Sequence, residues 1–325
     1  MKRALITGIN GMDGSYLAEH LLKLGYEIHG TTRFSSSHKN INLIKNKIHL
    51  HCGEVTDSNF IYKTILESQP DEIYHLAAIS NSAEIWNDPL STYNVDGISV
   101  VLFLEAIKSI NNNIKFLFCS SSEIYANNDG EIDENTPFNP ASPYGIAKLF
   151  AHQNIKLYCK KYGIFACNAI CFNHESERRG DGFVTKKISK GVAEIYLKSE
   201  QVISFGDITA KKDWGYAPEY VVAMHKMLQL NSPEDFILAS NSLHSVEEII
   251  NHAFRYKNIT NWQKYVKYDK NINVNRTNKE LVGIIDKAKS LLNWQPTTTI
   301  LQAIEYMVEY EIENSKKNNN IILVN

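Results

Sequence analysis

The stretch "ITGINGMDGSYLAEHLL", residues 6–22, places Gly8, Gly11 and Gly14 in a G-x-x-G-x-x-G pattern between a short apolar run and an amphipathic one. Glycines so spaced after a strand and at the mouth of a helix let the backbone turn tightly and approach a diphosphate, whose charge the helix N-terminal amides stabilise. A glycine turn that only packs a helix on a strand has the same spacing. The strand-then-helix context favours the dinucleotide reading.

Working outward, "ALIT" (4–7), "YEIHGTT" (26–32), "KIHLHC" (47–52), "EIYHL" (72–76), "KFLFC" (115–119) and "IFACNAIC" (164–171) read as short buried strands. Between most of them lie helical patterns such as "SYLAEHLLKLG" (15–25) and "SVVLFLEAIKSI" (99–110). That alternation predicts an α/β fold with a Rossmann-like doubly wound parallel sheet. After about residue 172 helices dominate, as in 183–200 and 300–314. The division expected is a nucleotide-binding domain over 1–172 that carries the catalytic residues, a smaller, mostly helical substrate lobe over 173–314 with short returns to the first domain, and a frayed or docked tail over 315–325.

Composition narrows the function classes. Of 325 residues 43% are hydrophobic and 22% charged, ordinary values for a globular enzyme. The net charge of -2 comes without a long basic block, so nucleic acid is not an expected partner. No window approaches 18 apolar residues and "MKRALITG" enters a strand at once, so neither a membrane span nor a signal peptide is expected and the cytoplasm is the expected location. Five cysteines without a C-x-x-C pair signal neither a disulfide framework nor a zinc site. His49 and His51 share a strand face but have no acidic or thiol companions nearby in sequence, and no metal is expected.

The second strand ends in "TTRFSSSHK" (31–39), where an NAD site usually offers a carboxylate. Arg33 with Ser35, Ser36 and Ser37 instead offers a charge and donors suited to a 2′-phosphate, which favours NADP over NAD, a solvated basic loop being the plain alternative. In "SPYGIAK" (142–148) Tyr144 and Lys148 lie four apart on one helix face. A lysine ammonium beside the phenol would lower its pKa toward general-base use, and Ser121 could hold the same substrate oxygen. Glu123, in "CSSSEIYAN" (119–127), has no part in such hydride chemistry.

These residues carry a family resemblance. Gly8/Gly11/Gly14, the strand-end serines and Tyr144/Lys148 resemble the extended short-chain dehydrogenase/reductases, and "GMDGSYLAEHLL", "SSSEIY", "SPYGIAKL", "FNHESERRGDGFVTKKIS" and "DWGYAPEYVVAMHKMLQ", in that order, resemble the GDP-mannose 4,6-dehydratases specifically. Ser121-Ser122-Glu123 stands where that family has Thr-Ser-Glu. The resemblance implies that Tyr144 deprotonates the sugar 4-hydroxyl as C4 gives hydride to NADP+, that Glu123 removes the C5 proton and helps expel the 6-hydroxyl as water, and that hydride returns to C6.

It further implies cofactor contacts from Gly8, Asn10, Gly11, Met12, Asp13, Gly14, Arg33, Ser35, Ser36, Glu54, Val55, Leu76, Ala77, Ala78, Ser80, Tyr144, Lys148, His174 and Arg179. Substrate contacts are implied for Ser80, Ser121, Glu123, Tyr144, Asn173, Val184, Lys187, Lys212 and Arg276. The sequence departs from the family pattern at Phe34, at Glu54-Val55, at Glu177 where a proline is usual, at Lys212 for arginine and at Lys279 for a ribose-binding glutamate. The GDP-sugar is therefore open between GDP-mannose and a GDP-manno-heptose. The loop after the second strand implies a homotetramer with the cofactor near a subunit interface. A nucleotide-sugar 4-epimerase or 4-keto reductase, which would not need Glu123, and a non-catalytic NADP-binding regulator are the competing readings.

Overall fold

The computed structural model describes residues 1–197, 201–269, 272 and 280–322. In chain order its elements are β1 (Arg3–Thr7), α1 (Met12–Lys23), β2 (Glu27–Thr32), β3 (Ile48–Cys52), α2 (Ser58–Ser68), β4 (Glu72–His75), α3 (Ser82–Asn87), α4 (Pro89–Tyr93), α5 (Ser99–Ile110), β5 (Lys115–Ser121), β6 (Gly130–Ile132) and α6 (Pro143–Tyr162). There follow β7 (Ala166–Cys171), β8 (Asn173–Glu175), α7 (Val184–Tyr196), β9 (Ile203–Phe205), β10 (Lys211–Tyr216), α8 (Ala217–Leu228), β11 (Phe236–Leu238), β12 (Leu243–Ser245), α9 (Val246–Tyr256), β13 (Val266–Tyr268), β14 (Leu281–Gly283), α10 (Asp286–Leu292) and α11 (Ile300–Ile322).

Seven strands form one sheet in the order β11-β7-β5-β4-β1-β2-β3, each neighbouring pair parallel. Strand alternation sends Ala4 and Ile6 to one face, where Leu17 and Leu21 of α1 and Met224 and Met227 of α8 cover them. Leu5 goes to the other, with Ile61 and Ile65 of α2, Phe103 and Ile107 of α5 and Ile155 of α6. Helices on both faces make the sheet doubly wound. A second core gathers Ile188 and Val192 of α7, Ile249 and Phe254 of α9, and Ile304 and Val308 of α11.

The chain does not stay in this second lobe after residue 172. β10 and α8 cross back, β11 extends the nucleotide sheet beside β7, and α10 packs through Ala288 and Leu292 onto the same core as α1. α11 also continues past residue 314 to Ile322, so the segment read as a tail begins as helix.

Two expectations are corrected. The helical run Pro89–Ile110 is long and apolar enough to cross a membrane, with a mean hydropathy of 1.3, contrary to the reading that no window comes close. Half of that window is buried, with Val100, Phe103, Leu104 and Ile107 against the sheet, and core packing accounts for its apolarity. His49 and His51 also do not lack acidic companions: β2–β3 register sets His29 beside His49, and Glu27 and Glu67 lie within ion-pair reach of the cluster. Sequence distance hid what strand pairing brings together.

Candidate active site

The C-terminal ends of β1, β4, β5 and β7 open into a cleft of about 860 Å³, the place where parallel sheets of this order bind ligands. Its floor at β1 is the glycine turn. Gly8 takes φ +65°, and a Cβ on Gly14 would stand 2.5 Å from the Gly8 carbonyl oxygen. Close packing of α1 on the turn therefore requires glycine at both positions.

The ends of β1 and β4 are tied by a buried relay. Thr7 Oγ1 accepts from the Leu76 and Ala77 amides at 3.0 Å and donates to His75 Nδ1, and His75 Nε2 donates to Ser99 Oγ at 2.9 Å, whose own proton goes to the Val95 carbonyl. Burial, reinforced by the charge of Lys148, holds His75 down to about 3 and so keeps it neutral in this role.

β5 and α6 supply the reacting groups. Ser142 caps α6 by accepting from the Gly145 amide at 3.0 Å, Pro143 follows at the first position, and Tyr144 and Lys148 then share a face. Ser121 ends β5 and caps the next short turn by accepting from the Glu123 amide at 3.2 Å. Its hydroxyl lines the cleft together with the Tyr144 phenol, near enough to influence it. A Cβ on Gly145 would come within 2.6 Å of the Glu123 carbonyl, so glycine there lets the turn carrying Glu123 sit against the start of α6.

Lys148 is buried, donates from Nζ to the Cys119 carbonyl at 2.9 Å, and lies 3.1 Å from Asp96 Oδ1. Asp96 sits in a π-helical turn (94–98) that interrupts the run between α4 and α5, a local widening that recurs at functional sites, and its Oδ2 accepts from the Ile79 amide at 3.0 Å. Burial raises the Asp96 carboxyl, against the pull of Lys148. The Tyr144 phenol is also raised well above its ordinary value, first by burial and then by the nearby Asp96 charge. The expected lowering of Tyr144 by Lys148 is thus reversed in the free protein, first because the phenol is buried and then because the Asp96 carboxylate, which the Tyr-Lys spacing does not reveal, stands near it.

On the facing wall, His174 Nε2 donates to Asp13 Oδ2 at 2.9 Å, its Nδ1 donates to the Phe172 carbonyl at 2.7 Å, and its ring stacks on Tyr220. Burial opposes charge on both partners, but the ion pair prevails: His174 is raised to about 9 and Asp13 is lowered. Among the described residues, Asp13 Oδ1 is buried without a hydrogen-bond partner. That unsatisfied acceptor, beside the glycine turn, fits a ligand with hydroxyl or amide donors on a diphosphate. Arg179 forms a two-pronged pair with Glu175 at 2.8 and 3.1 Å, lies over the Phe183 ring and borders the cleft. Glu177, where a proline is usual, accepts from Tyr16 and Tyr216 at 3.0 and 3.1 Å and so ties α1 to β10.

Of the residues anticipated from sequence, Gly8, Gly11, Met12, Asp13, Gly14, Leu76, Ala78, Ser80, Ser121, Glu123, Tyr144, Lys148, Asn173, His174, Arg179, Val184 and Lys212 line this one cleft. Asn10 does not line it but binds the loop after β2 through the Ser37 carbonyl at 3.0 Å. Arg33, Ser35 and Ser36 belong to that loop, Glu54 is exposed, Val55 is core, Ala77 packs behind Gly8, and Lys187 is exposed beside the Phe205 ring. Arg276 and Lys279 fall outside the described residues. Sequence reading missed Asp96, Trp86, Phe183 and Trp214, and also Cys119 and Cys171, whose sulfurs lie 3.8 Å apart at the cleft floor. The one available signal for Asp96 was a charge inside an otherwise apolar helical run.

Comparison with known proteins now assigns the architecture. The family model for GDP-mannose 4,6 dehydratase matches residues 5–307. The chain belongs to the GDP-mannose 4,6-dehydratase family. It is 40% identical to the GDP-mannose 4,6 dehydratase of Homo sapiens, over 98% of this chain and 93% of that protein, and 43% identical to that of Vibrio cholerae over 78% and 71%. Among solved structures, the dTDP-glucose 4,6-dehydratase of Bacillus anthracis in complex with NAD superimposes with a TM-score of 0.84 at 21% identity, covering 97% of this chain and 98% of that one. RMD of Pseudomonas aeruginosa complexed with NADPH gives 0.79 at 18%, covering 97% and 100%. Both share the fold of this chain.

Proposed function

We propose that this family member is an NADP-dependent GDP-mannose 4,6-dehydratase, releasing water and a GDP-4-keto-6-deoxy sugar. The single observation that supports the reading is that Glu123 shares a turn with Ser121 and lines the same cleft as Tyr144 and Lys148, so a carboxylate stands beside the oxidising pair. NADP+ supplies the hydride acceptor at C4 and the donor back to C6. Tyr144 takes the 4-hydroxyl proton while Ser121 holds that oxygen and Lys148 supplies positive charge. The 4-ketone acidifies the C5 proton, which Glu123 removes; protonated, Glu123 gives that proton to the departing 6-hydroxyl, and the return of hydride to C6 is completed by return of a proton to C5. Oxidation alone would leave Glu123 without work.

The NADP preference is supported by the exposed Arg33 and Ser35 on a loop that Asn10 holds beside the glycine turn, and by the absence of a carboxylate at the end of β2. Assembly into a homotetramer is supported by exposed Phe34 and Leu43 on the same loop and by Ile146 and Phe150 on α6. Light scattering of the purified protein checks the mass.

The deciding experiment is Glu123→Gln with mass spectrometry after incubation with NADP+ and a panel of GDP-hexoses and GDP-heptoses. Loss of one water from GDP-mannose falls by about 10²–10⁴-fold in the variant if Glu123 is the acid/base. Undiminished product in the variant defeats the mechanism, and water loss from a heptose alone moves the substrate.

A further inference from the structure

We propose that Glu27, His29 and His49 form a binding site for one divalent transition-metal ion of the zinc class, riveting the edge strand β3 to β2 at the opposite end of the sheet strands from the catalytic cleft. The parallel register sets His29 directly beside His49, and alternation puts Glu27 on the same face two residues before His29. One ligand atom from each lies within 4.8 Å of the others: Glu27 Oε1 is 3.1 Å from His29 Nε2 and 3.9 Å from His49 Nε2. Tetrahedral zinc with bonds of about 2.0–2.1 Å sets its donors about 3.4 Å apart, so side-chain rotation suffices to close the set around an ion, with water as fourth ligand.

The surroundings orient these ligands. Arg3 Nε lies 3.3 Å from Glu27 Oε2, which leaves Oε1 turned to the imidazoles. Behind His29, Nδ1 lies 3.0 Å from His51 Nε2, and His51 Nδ1 is 3.5 Å from Glu67 Oε2. When an ion displaces the His29 Nε2–Glu27 contact, a Glu67–His51–His29 chain of this kind favours the tautomer with the proton on His29 Nδ1, so that Nε2 offers its lone pair to the metal, the arrangement that supports metal-bound histidines. His49 is exposed, giving the ion access from solvent. The ligands are two nitrogens and a carboxylate, a set that suits zinc, cobalt, nickel and copper and is poor for calcium or magnesium. None of these residues borders the catalytic cleft, which assigns the ion a structural role.

The test uses untagged full-length protein stripped with a chelator. Calorimetric titration with Zn2+ and visible absorption with Co2+ are expected to give one ion per chain, with a higher melting temperature in excess Zn2+. His49→Ala, at an exposed position, and Glu27→Gln are each expected to weaken Zn2+ binding at least tenfold while turnover is unchanged, and His51→Phe to weaken it ten- to a hundredfold through His29. Absence of a stoichiometric site in the parent protein, or parental affinity in both His49→Ala and Glu27→Gln, overturns the proposal.

Discussion

The β5–α6 wall and the α1–β8 wall of the cleft both bury charge, and they treat it in opposite ways. On the first, burial outweighs pairing: Tyr144 and Asp96 are pushed up, and Lys148 is shared between a carboxylate and a carbonyl. On the second, pairing outweighs burial, and Asp13 and His174 are driven apart toward full ionisation. Groups that must exchange protons sit where the charged form is costly; groups that hold a ligand sit where charge is compensated. The difference separates a wall that reacts from a wall that grips.

Substitutions can break or sharpen that contrast. Tyr144→Phe on the reacting wall is expected to lower kcat by about 10²–10⁴-fold with folding intact, read by steady-state turnover and a thermal melt, because only the phenolic proton acceptor is removed. Asp96→Asn leaves the Lys148 ammonium buried without its carboxylate and is expected to destabilise the fold by about 3–5 kcal/mol in denaturant titration. In whatever folds, the pH–rate profile should shift to lower pH, because the Asp96 charge that raises Tyr144 is gone; an unmoved profile would detach Asp96 from Tyr144.

On the gripping wall the sign is reversed. His174 is raised from 6.5 to about 9, so its stabilisation is fully present below about pH 6.5 and is lost as pH rises through 9. The loss is at most on the order of 3 kcal/mol, and His174→Gln should flatten the stability profile between those limits. Glu177→Ala should have the smallest effect, about 1 kcal/mol in a melt, since it removes the tyrosine contacts linking α1 to β10 and leaves both walls in place.

How much of this was legible follows from contact range. Gly8, Gly11 and Gly14, the Tyr144–Lys148 pair and the Ser121–Glu123 turn are local: turn geometry and the helix repeat fix them, so spacing alone reveals them. The same holds for the six strands of the first half, each found within about two residues. Asp96 was hidden because its partner is fifty-two residues away across two helices. The histidine cluster was hidden because His29 and His49 meet only through β2–β3 register.

The sequence by itself determined a doubly wound sheet with a glycine turn at one end and a serine, glutamate, tyrosine and lysine on consecutive elements, because each depends on a periodicity or a motif within a few residues. Tertiary structure alone decided that Lys148 is neutralised by Asp96, that His174 is charged by Asp13, and that α8, β11 and α10 return to complete the first core. Those outcomes are set by which groups share a buried volume, where the low dielectric makes a single neighbouring charge decisive.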